Sequence, residues 1–471
     1  MQKTVSIDRE LFETMPVPQA VRRFVGPSLI STLITIIYSF ADTFFVGLMG
    51  DAVMVAGLTV AFPYYQLLNA LASLFGVGTN AVMSRSLGEK SYDRVSKASN
   101  YGFWGGALFM VFACIVVWVL RRPLLNLAGA STESYGYALD YLKWVFLCGG
   151  IPTVLSVVMA NLLRAEGHAK KGSLGLMIGS GLNIILDPLV IHLTGKAVAG
   201  AAIATLISNC VSLIFFLCIY ARMRGTTYIN LKPFAFRVEW RVFGNVILSG
   251  LPSGFLTILG LSGCIMQTHL YSIYSDAAVA AWGVVNRMSF VGIYMTHGVA
   301  QGVLPLIGYN FGAKNKKRVQ EVNKFAFRIL LVIAIVLLLF CEIFSDGIIR
   351  AFVNDAATIE VGRGIMRCYM LCTPFMSVVL LTSTLCQAVG KWQYSLIMLT
   401  VRQLAINFPV TFLLNHLIGV YGVALGQPIN DVISTFIAIF VYRLCFVKAM
   451  RGMDELPEKE ASAEPAETPA K

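Results

Sequence analysis

The residues best suited to chemistry are oxygen-bearing side chains that stand inside strongly apolar segments. Asp42 lies in the stretch IIYSFADTFFVG, and Asp187 lies in GLNIILDPLVI. Asn183 precedes Asp187 by four residues, so the two share one face of a helix. Thr205 adds a hydroxyl if it faces the same cavity. Two carboxylates, an amide oxygen and a hydroxyl are hard ligands, which suit Na⁺.

The same four groups could hold a proton instead of Na⁺. Burial and a like-charged neighbour both favour the protonated form of a carboxyl group. A charged residue near the bilayer centre costs about 2.5–3.5 kcal/mol, so two buried acids are expected to have a function. The structural alternative is an acid satisfied by a neighbouring helix or lying nearer the interface. These residue types are compatible with either H⁺ or Na⁺ as the coupling ion. No other cofactor or metal is expected.

The second half of the chain carries a looser set of polar residues in apolar surroundings. Gln267, Arg287, Gln301, Arg402 and Asp431 are candidates for lining a substrate cavity. The alternative for the three charged members is that they pair structurally within the protein.

The elements that position these residues are transmembrane helices. Of the residues, 57% are hydrophobic and only 13% are charged, about half the charge of a soluble domain, and the mean hydropathy is +0.72. Apolar stretches recur at the length of a membrane-spanning helix, and the alternating pattern of a β-barrel is absent. Helices are predicted at 22–48, 53–82, 98–120, 136–162, 173–193, 197–221, 242–272, 277–305, 323–344, 361–386, 395–417 and 420–446.

The distribution of cations predicts the orientation. Of the 37 Lys and Arg residues, 28 fall at the termini, in the even-numbered loops or in the helix ends next to them. Cations are retained on the cytoplasmic side, so both termini are expected there. The net charge of +12 therefore reflects topology and contact with membrane lipids, and no nucleic-acid partner is expected. Residues 1–21 form the predicted N-terminal segment, 222–241 a cytoplasmic linker, and 447–471 a disordered tail.

An internal repeat relates the two halves. GEKSYDRV begins at Gly88 and GAKNKKRV begins at Gly312, 224 residues later. Pro152 similarly matches Pro374, with a slightly different offset. We therefore predict an all-α membrane protein with two parallel six-helix bundles, 22–221 and 242–446, related by a pseudo-two-fold axis along the membrane normal. This plan is typical of transporters.

The two halves differ at the proposed ion site. Gln267 stands at the position equivalent to Asp42, and Thr411 at that of Asp187, while Asn183 is matched by another asparagine, Asn407. This asymmetry on a symmetric scaffold predicts that ion coupling belongs to the first bundle.

Pro27 precedes Asp42 on the first helix. Two interpretations remain open for it. It either belongs to the first turn of the helix, where proline is tolerated, or weakens the hydrogen-bond ladder and creates a bending point.

Several segments resemble the multidrug and toxic compound extrusion (MATE) family: GPSLIS, SFADTFFVG, NIILDP, GAAIAT and VAQGVLPLIGYNFGAKN. The resemblance implies a V-shaped antiporter that exports cationic or amphipathic compounds in exchange for H⁺ or Na⁺. Asp42, Asn183, Asp187 and Thr205 match the cluster of the DinF-like branch, and Pro27 matches a proline implicated in bending. The NorM-like branch carries acids in helices 7 and 10. This chain departs there, with Gln267 in helix 7.

Other classes of function fit the sequence less well. A flippase or exporter of lipid-linked or polymeric substrates is the main alternative, and an ion channel is the next. No Walker loop, HExxH or G-x-S-x-G site with partners indicates an enzyme. We expect a monomer in the bacterial plasma (inner) membrane that acts on small molecules.

Overall fold

The chain is helical throughout the part that the structure describes. The computed structural model describes residues 10–47, 52–195, 197–233 and 239–448, without the side chains of 42–47, 52, 53, 55, 56 and 447. Within these ranges, ten helices can each cross a membrane, and two bent helix pairs supply two further spans. The prediction of twelve transmembrane helices is confirmed. The predicted tail beyond residue 448 lies outside the described ranges.

We number the spans in chain order. They are α1 Val17–Gly47, α2 Ala52–Gly88, α3 Tyr92–Val119, α4 Ser134–Cys148 with Gly150–Ala165, α5 Ala169–Thr194, α6 Ala197–Met223, α7 Trp240–Ser272, α8 Asp276–Gly312, α9 Lys316–Phe352, α10 Ala356–Met370 with Thr373–Ala388, α11 Trp392–Ile418 and α12 Val420–Phe446. Two short helices, Glu10–Thr14 and Arg121–Leu127, stand outside the spans.

Most of the helices are longer than the apolar stretches that predicted them. The ninth was expected at 323–344, but α9 runs from Lys316 to Phe352. Hydropathy detects only the part of a helix that suits hydrocarbon, whereas backbone hydrogen bonding continues into the charged flanks. For the same reason, the predicted N-terminal segment and linker lose residues to α1, α6 and α7.

Two spans predicted as continuous helices are sharply bent. The halves of α4 meet at 46° and those of α10 at 42°. Pro152 and Pro374 lie in the first turns of the second halves. A proline lacks an N–H and clashes with the preceding turn, so it is a common cause of a helix kink. The bends therefore occupy equivalent places in the two repeats.

Pro27 lies ten residues inside α1, which begins at Val17. The interpretation as a first-turn proline is therefore wrong, because the helix starts earlier than the apolar stretch indicated. Proline inside a helix removes one backbone hydrogen bond. The adjacent Ser28 donates its hydroxyl to the carbonyl of Phe24, one turn earlier, at 3.1 Å. Bending at Pro27 stays a prediction.

The repeat is also present in the backbone. Lys90 and Lys314 both adopt a φ of 58°, a conformation that residues other than glycine rarely take. Each lysine N–H bonds a carbonyl three residues earlier at 3.1 Å. Two pairs of glycines repeat this correspondence with positive φ: Gly167 with Gly390, and Gly195 with Gly419. The segments at Lys90 and Lys314 thus encode matching turns, whereas Gly195 and Gly419 share only the sign of φ, because their ψ angles are 10° and −141°.

The same helix pairs pack together in each half. In the first bundle α1 lies against α5, α2 against α3 and α4, and α5 against α6. In the second bundle α7 lies against α11, α8 against α9 and α10, and α11 against α12. The predicted fold of two six-helix bundles is confirmed.

The two bundles meet chiefly along α2, which packs on α7 and α8. A Cβ added at Gly250 would overlap the carbonyl oxygen of Leu74, and one at Gly78 would overlap that of Val246. Such close backbone approach requires glycine, since any larger side chain would separate the helices. Further along, Gly312 approaches Arg85 in the same way. This contact closes one half of the interface between the bundles.

The N-terminal segment reinforces the closed half. Phe12 stacks on Tyr309 of α8 with ring centroids 4.4 Å apart, and the Tyr309 hydroxyl donates to Glu13 at 2.6 Å. Arg318 of α9 donates to the carbonyl of Met15 at 2.7 Å. We call this end of the molecule, with the N-terminal segment and the α2–α3 and α8–α9 loops, the basic side. The segment that precedes the first bundle thus contacts the second bundle at the basic side.

Candidate functional site

A buried polar cluster lies where α5 and α6 pack together. Asp187 exposes 0% of its surface, Asn183 2% and Thr205 6%. Asn183 and Asp187 stand one helical turn apart on α5, so their side chains share a face. Thr205 reaches that face from α6, which was the condition for including it in the predicted ion site. Three of the four proposed ion-site residues are therefore in one cluster.

The Asn183 amide bridges the other two residues. The amide is oriented so that its oxygen faces the two donors of Thr205 and its nitrogen faces the carboxylate of Asp187. Its Nδ2 then donates to both carboxylate oxygens of Asp187, at 2.9 and 3.2 Å. Its Oδ1 then accepts from the Thr205 hydroxyl at 3.2 Å and from the Thr205 backbone N–H at 3.1 Å. The carboxylate, the amide and the hydroxyl form a continuous chain of hydrogen bonds that holds each oxygen in place.

Asp42 belongs to α1, and α1 packs directly on α5. The Asp42 side chain lies outside the described part of the structure. Its membership of the cluster stays a prediction, which the helix pairing allows.

A contact that sequence reasoning missed links this cluster to the space between the bundles. The hydroxyl oxygens of Thr35 on α1 and Ser180 on α5 are 3.5 Å apart. Ser180 precedes Asn183 by three residues and so lies near the cluster on α5. Thr35 also lines the cleft between the bundles. The spacing of Ser180, Asn183 and Asp187 was the signal that could have identified Ser180.

The central cleft lies between α1, α2 and α8, away from the basic side. It has a volume of about 660 Å³, including the part open to solvent. Among the described residues that line it, Arg287 is the only cation. Half of the twelve lining residues are aromatic: Tyr38, Phe40, Phe62, Tyr65, Phe290 and Tyr294. Of the five proposed cavity residues, Arg287 is the one that this cleft contains.

Gln301 lines a different and smaller cavity, of about 310 Å³, between α7, α8 and α10. Ser253 and Gln387 lie on its wall and are joined by a 2.8 Å hydrogen bond from the Ser253 hydroxyl. Among the described groups, none hydrogen-bonds the buried Oε1 of Gln301. The cavity is polar, but it is separate from the aromatic cleft.

Arg402 and Asp431 form a buried ion pair inside the second bundle. The Nε of Arg402 donates to Oδ1 of Asp431 at 2.6 Å, and the side chains expose 7% and 0% of their surfaces. Gln427 donates to the other carboxylate oxygen at 3.1 Å. Of the two interpretations that the sequence left open for these charges, pairing is the one observed. A π-helical stretch, Val401–Asn407, carries Arg402.

Gln267 is also buried in the second bundle, with 2% of its surface exposed. No described group hydrogen-bonds its Nε2. The pair equivalent to Asn183 and Asp187 is Asn407 and Thr411, and here the Thr411 hydroxyl donates to the Asn407 Oδ1 at 3.2 Å. The structure places Gln267 beside neither of the two cavities described above.

The chemistry of the two bundles therefore differs as the repeat indicated. The first bundle holds a carboxylate, Asp187, whose described partner is the neutral amide of Asn183. The second bundle holds a neutral threonine at that position and compensates its own acid, Asp431, with a resident guanidinium. The described partners of the two buried acids therefore differ, an amide for Asp187 and a guanidinium for Asp431.

Comparison with known proteins agrees with this architecture. The profile of the MatE family matches residues 27–189 and again residues 252–413. The chain belongs to the MatE family. The two matched ranges are offset by 225 residues at their starts and 224 at their ends, so each bundle matches the profile once. The resemblance to the MATE family is thereby confirmed, and with it a transporter rather than an enzyme. The DinF-like branch stays a prediction.

Among curated relatives of this MatE chain is the multidrug export protein MepA of Staphylococcus aureus strain N315. It is 29% identical over 434 residues, which cover 92% of this chain and 95% of MepA. Among solved structures, an outward-facing multidrug resistance MATE transporter of the MOP superfamily has a TM-score of 0.88 at 23% identity, covering 96% of this chain and all of that one. The bent form of VcmN from Vibrio cholerae has a TM-score of 0.83 at 21% identity, covering 93% and 98%. These structures share the fold.

Proposed function

We propose that this protein is a multidrug efflux antiporter that exports cationic or amphipathic small molecules in exchange for H⁺ or Na⁺. Family membership and the resemblance to MepA, a multidrug export protein, support export of small molecules. The observation that carries the antiport is Asp187, fully buried and hydrogen-bonded to Asn183, which Thr205 holds in turn. A carboxylate in such surroundings is stable only when a cation or a proton neutralises it.

Either ion suits the site. Carboxylate, amide and hydroxyl oxygens are ligands that Na⁺ accepts, and full burial favours a protonated acid. Asp42 on the adjacent α1 would supply a second carboxylate. One pH unit across the membrane supplies about 1.4 kcal/mol per proton, and 100 mV supplies about 2.3 kcal/mol per charge. Either gradient is sufficient for export against a tenfold concentration difference.

In this proposal the protein is a monomer in the bacterial plasma membrane, with the basic side in the cytoplasm, as the excess of Lys and Arg there supports. The cleft then opens outward, and the glycine contacts between α2 and α7 close the cytoplasmic side. An ion entering from outside neutralises Asp187. The Thr35–Ser180 contact transmits the change to the wall of the cleft, which closes outward and reopens toward the cytoplasm to take up substrate.

Flippase and channel activities have less support. A polymer or lipid-linked phosphate needs several cations, whereas the described wall of the cleft offers one. A channel needs a continuous path, whereas backbone contact closes the basic side.

The test is ethidium transport in everted membrane vesicles, with an imposed pH gradient and then an imposed Na⁺ gradient. We expect one gradient to drive uptake in the wild type. Asp187→Asn and Asp42→Asn should each abolish the gradient-driven part, because a neutral amide cannot exchange a cation. Asp276→Asn, an exposed acid at the start of α8, serves as the control. Wild-type uptake by correctly inserted Asp187→Asn would refute the ion site.

A further inference from the structure

The short helix Glu10–Thr14 lies at the seam between the two bundles on the basic side. Its Phe12 side chain is fully buried. In the first bundle the Phe12 ring lies 5.5 Å from the ring of Phe24 on α1, and a Cβ added at Gly167 in the α4–α5 loop would be 3.1 Å from it. In the second bundle the same ring stacks on Tyr309 of α8 at 4.4 Å. One side chain therefore contacts both bundles.

The second bundle also holds the backbone of this segment. Arg318 of α9 donates hydrogen bonds to three of its carbonyls, those of Leu11 (3.4 Å), Phe12 and Met15 (2.7 Å). Asn310 of α8 donates to the Phe12 carbonyl as well, at 3.1 Å. Hydrogen bonds from a charged donor are roughly twice as strong as neutral ones. The attachment to the second bundle thus combines a buried ring with a charged clamp on the backbone.

The first bundle uses the equivalent arginine differently. Arg94 occupies the position of Arg318 in the first repeat, 224 residues earlier. It forms an ion pair with Glu89 at 2.8 Å, in which the side chains are 49% and 42% exposed, whereas Arg318 is only 7% exposed. An exposed ion pair contributes little to stability. Two equivalent arginines on the same side therefore have different partners, and Arg94 is a matched control for Arg318.

The attachment crosses the contact that closes the basic side. A Cβ added at Gly88 of α2 would overlap the carbonyl oxygen of Tyr309, so Tyr309 belongs both to that contact and to the site that holds Phe12. Separation of the bundles would draw Tyr309 and Arg318 away from the first bundle. The Phe12 ring would then lose part of its burial, or the clamp of Arg318 would break, and both changes oppose opening.

We propose that residues 10–15 are a latch that stabilises the state closed on the basic side and open at the central cleft. Opening of the basic side requires Phe12 to leave either Tyr309 or the first bundle. This inference rests on the proposed export function, in which the basic side opens once in each cycle, and it identifies the element that limits how often this happens. Weakening the latch shifts the population toward the state that is open on the basic side.

The experiment measures how often the basic side opens. Ser84 of α2 is fully buried, and a Cβ added at Gly308 of α8 would lie 2.8 Å from its Cβ, so α8 covers this position in the closed state. Ser84→Cys therefore introduces a thiol that a maleimide reaches when the bundles separate. The labelling rate at position 84 is measured by peptide mass spectrometry on purified protein in lipid nanodiscs, which present both sides of the membrane to the reagent.

We expect Phe12→Ala and Arg318→Gln, each combined with Ser84→Cys, to accelerate labelling at position 84 at least fivefold. Phe12→Leu should accelerate it less than Phe12→Ala, because it keeps a large apolar side chain in the seam. Arg94→Gln should label at the rate of Ser84→Cys alone. Cys341, fully buried in the second bundle away from this interface, is the internal reference, and its labelling rate should not change.

Three results would overturn the latch. They are an unchanged rate at position 84 in both Phe12→Ala and Arg318→Gln, an equal acceleration by Arg94→Gln, and an equal acceleration at Cys341, which would indicate general loosening of the fold. Labelling needs no ion gradient, so it tests the latch separately from transport. Absence of gradient-driven ethidium uptake by the wild type would instead contradict the proposed function.

Discussion

At the scale of single residues, the buried acids of the two bundles are accommodated in different ways. Asp187 accepts hydrogen bonds from the Asn183 amide, and in the proposed mechanism an exchangeable ion neutralises it. Asp431 is held by Arg402, and its charge is already balanced. A buried ion pair is weak support for stability, but removal of one partner leaves an uncompensated charge.

Arg402→Met should therefore destabilise the protein strongly. We expect a loss of about 3–5 kcal/mol, because Asp431 would remain buried without its partner. Thermal unfolding of the purified protein measures this as a lower Tm. The double variant Arg402→Met/Asp431→Leu should recover most of the loss, since it removes both charges.

The matched control for this pair is Arg350→Met. Arg350 and Asp346 are 2.7 Å apart, but their side chains are 63% and 44% exposed, and an exposed pair contributes about 0–1 kcal/mol. Equal destabilisation by the Arg402 and Arg350 variants would show that burial does not govern the energetics of these pairs.

At the scale of elements, glycines on α2 and α7 decide how closely the bundles approach. The contact of Gly250 with the Leu74 carbonyl leaves no space for a Cβ. Because backbone cannot move aside as a flexible side chain can, the helices must separate to accept a methyl group.

Gly250→Ala should weaken closure on the basic side. We expect faster hydrogen exchange in peptides from residues 70–88 and 242–254, and at least a tenfold loss of ethidium export, because the closed state becomes less populated. Gly244→Ala is the control on the same helix, since a Cβ at Gly244 meets nothing within 4 Å. Unchanged exchange in Gly250→Ala would mean that the interface adapts without separating.

The repeated turns and bends belong to the same scale. Lys90 and Lys314 hold the same left-handed conformation, and Pro152 and Pro374 mark equivalent bends. Duplication therefore preserved backbone geometry at positions where the side chains of the helices diverged.

At the scale of the whole molecule, two peripheral segments connect the bundles on the basic side. The N-terminal segment grips α8 and α9 through Phe12 and Glu13. The segment between α6 and α7 is held by Glu166, in the α4–α5 loop, which accepts from the Thr227 hydroxyl at 2.5 Å and from the Tyr228 N–H at 2.8 Å. Any opening of the basic side must accommodate these attachments.

The Glu166 attachment should depend on pH. Burial raises the pKa of this carboxyl group from 4.5 to about 6, although the hydrogen bonds from Thr227 and Tyr228 oppose the rise. Because the pKa is higher in the folded state, the stabilisation is fully present below pH 4.5 and is lost as the pH rises through about 6. We expect hydrogen exchange of residues 224–233, corrected for its intrinsic pH dependence, to accelerate across this window.

Glu166→Gln resembles the protonated acid and should make the corrected exchange independent of pH between 4.5 and 7.5. An exposed acid, Asp276, replaced by asparagine is again the control. The same acceleration in Glu166→Gln would assign the effect to another group.

The sequence by itself determined that the protein lies in a lipid bilayer, how many helices span it, that the chain is duplicated, and which acids break the symmetry of the repeat. Hydropathy, cation placement and repeated turns are local properties, because the preference of a segment for the bilayer depends mainly on its own residues. Asn183 and Asp187 were found in this way because one helix supplies both residues. Thr205 was found conditionally, because it stands on another helix.

Only the tertiary structure decided which faces of the helices meet. It paired Arg402 with Asp431, left Arg287 in the aromatic cleft, joined Thr35 to Ser180, and closed the basic side through Gly250. Each of these contacts joins residues far apart in the chain, and their spacing along the sequence carries no record of the distance. Lipid solvates apolar faces equally well, so packing rather than hydrophobicity selects the partner of each helix.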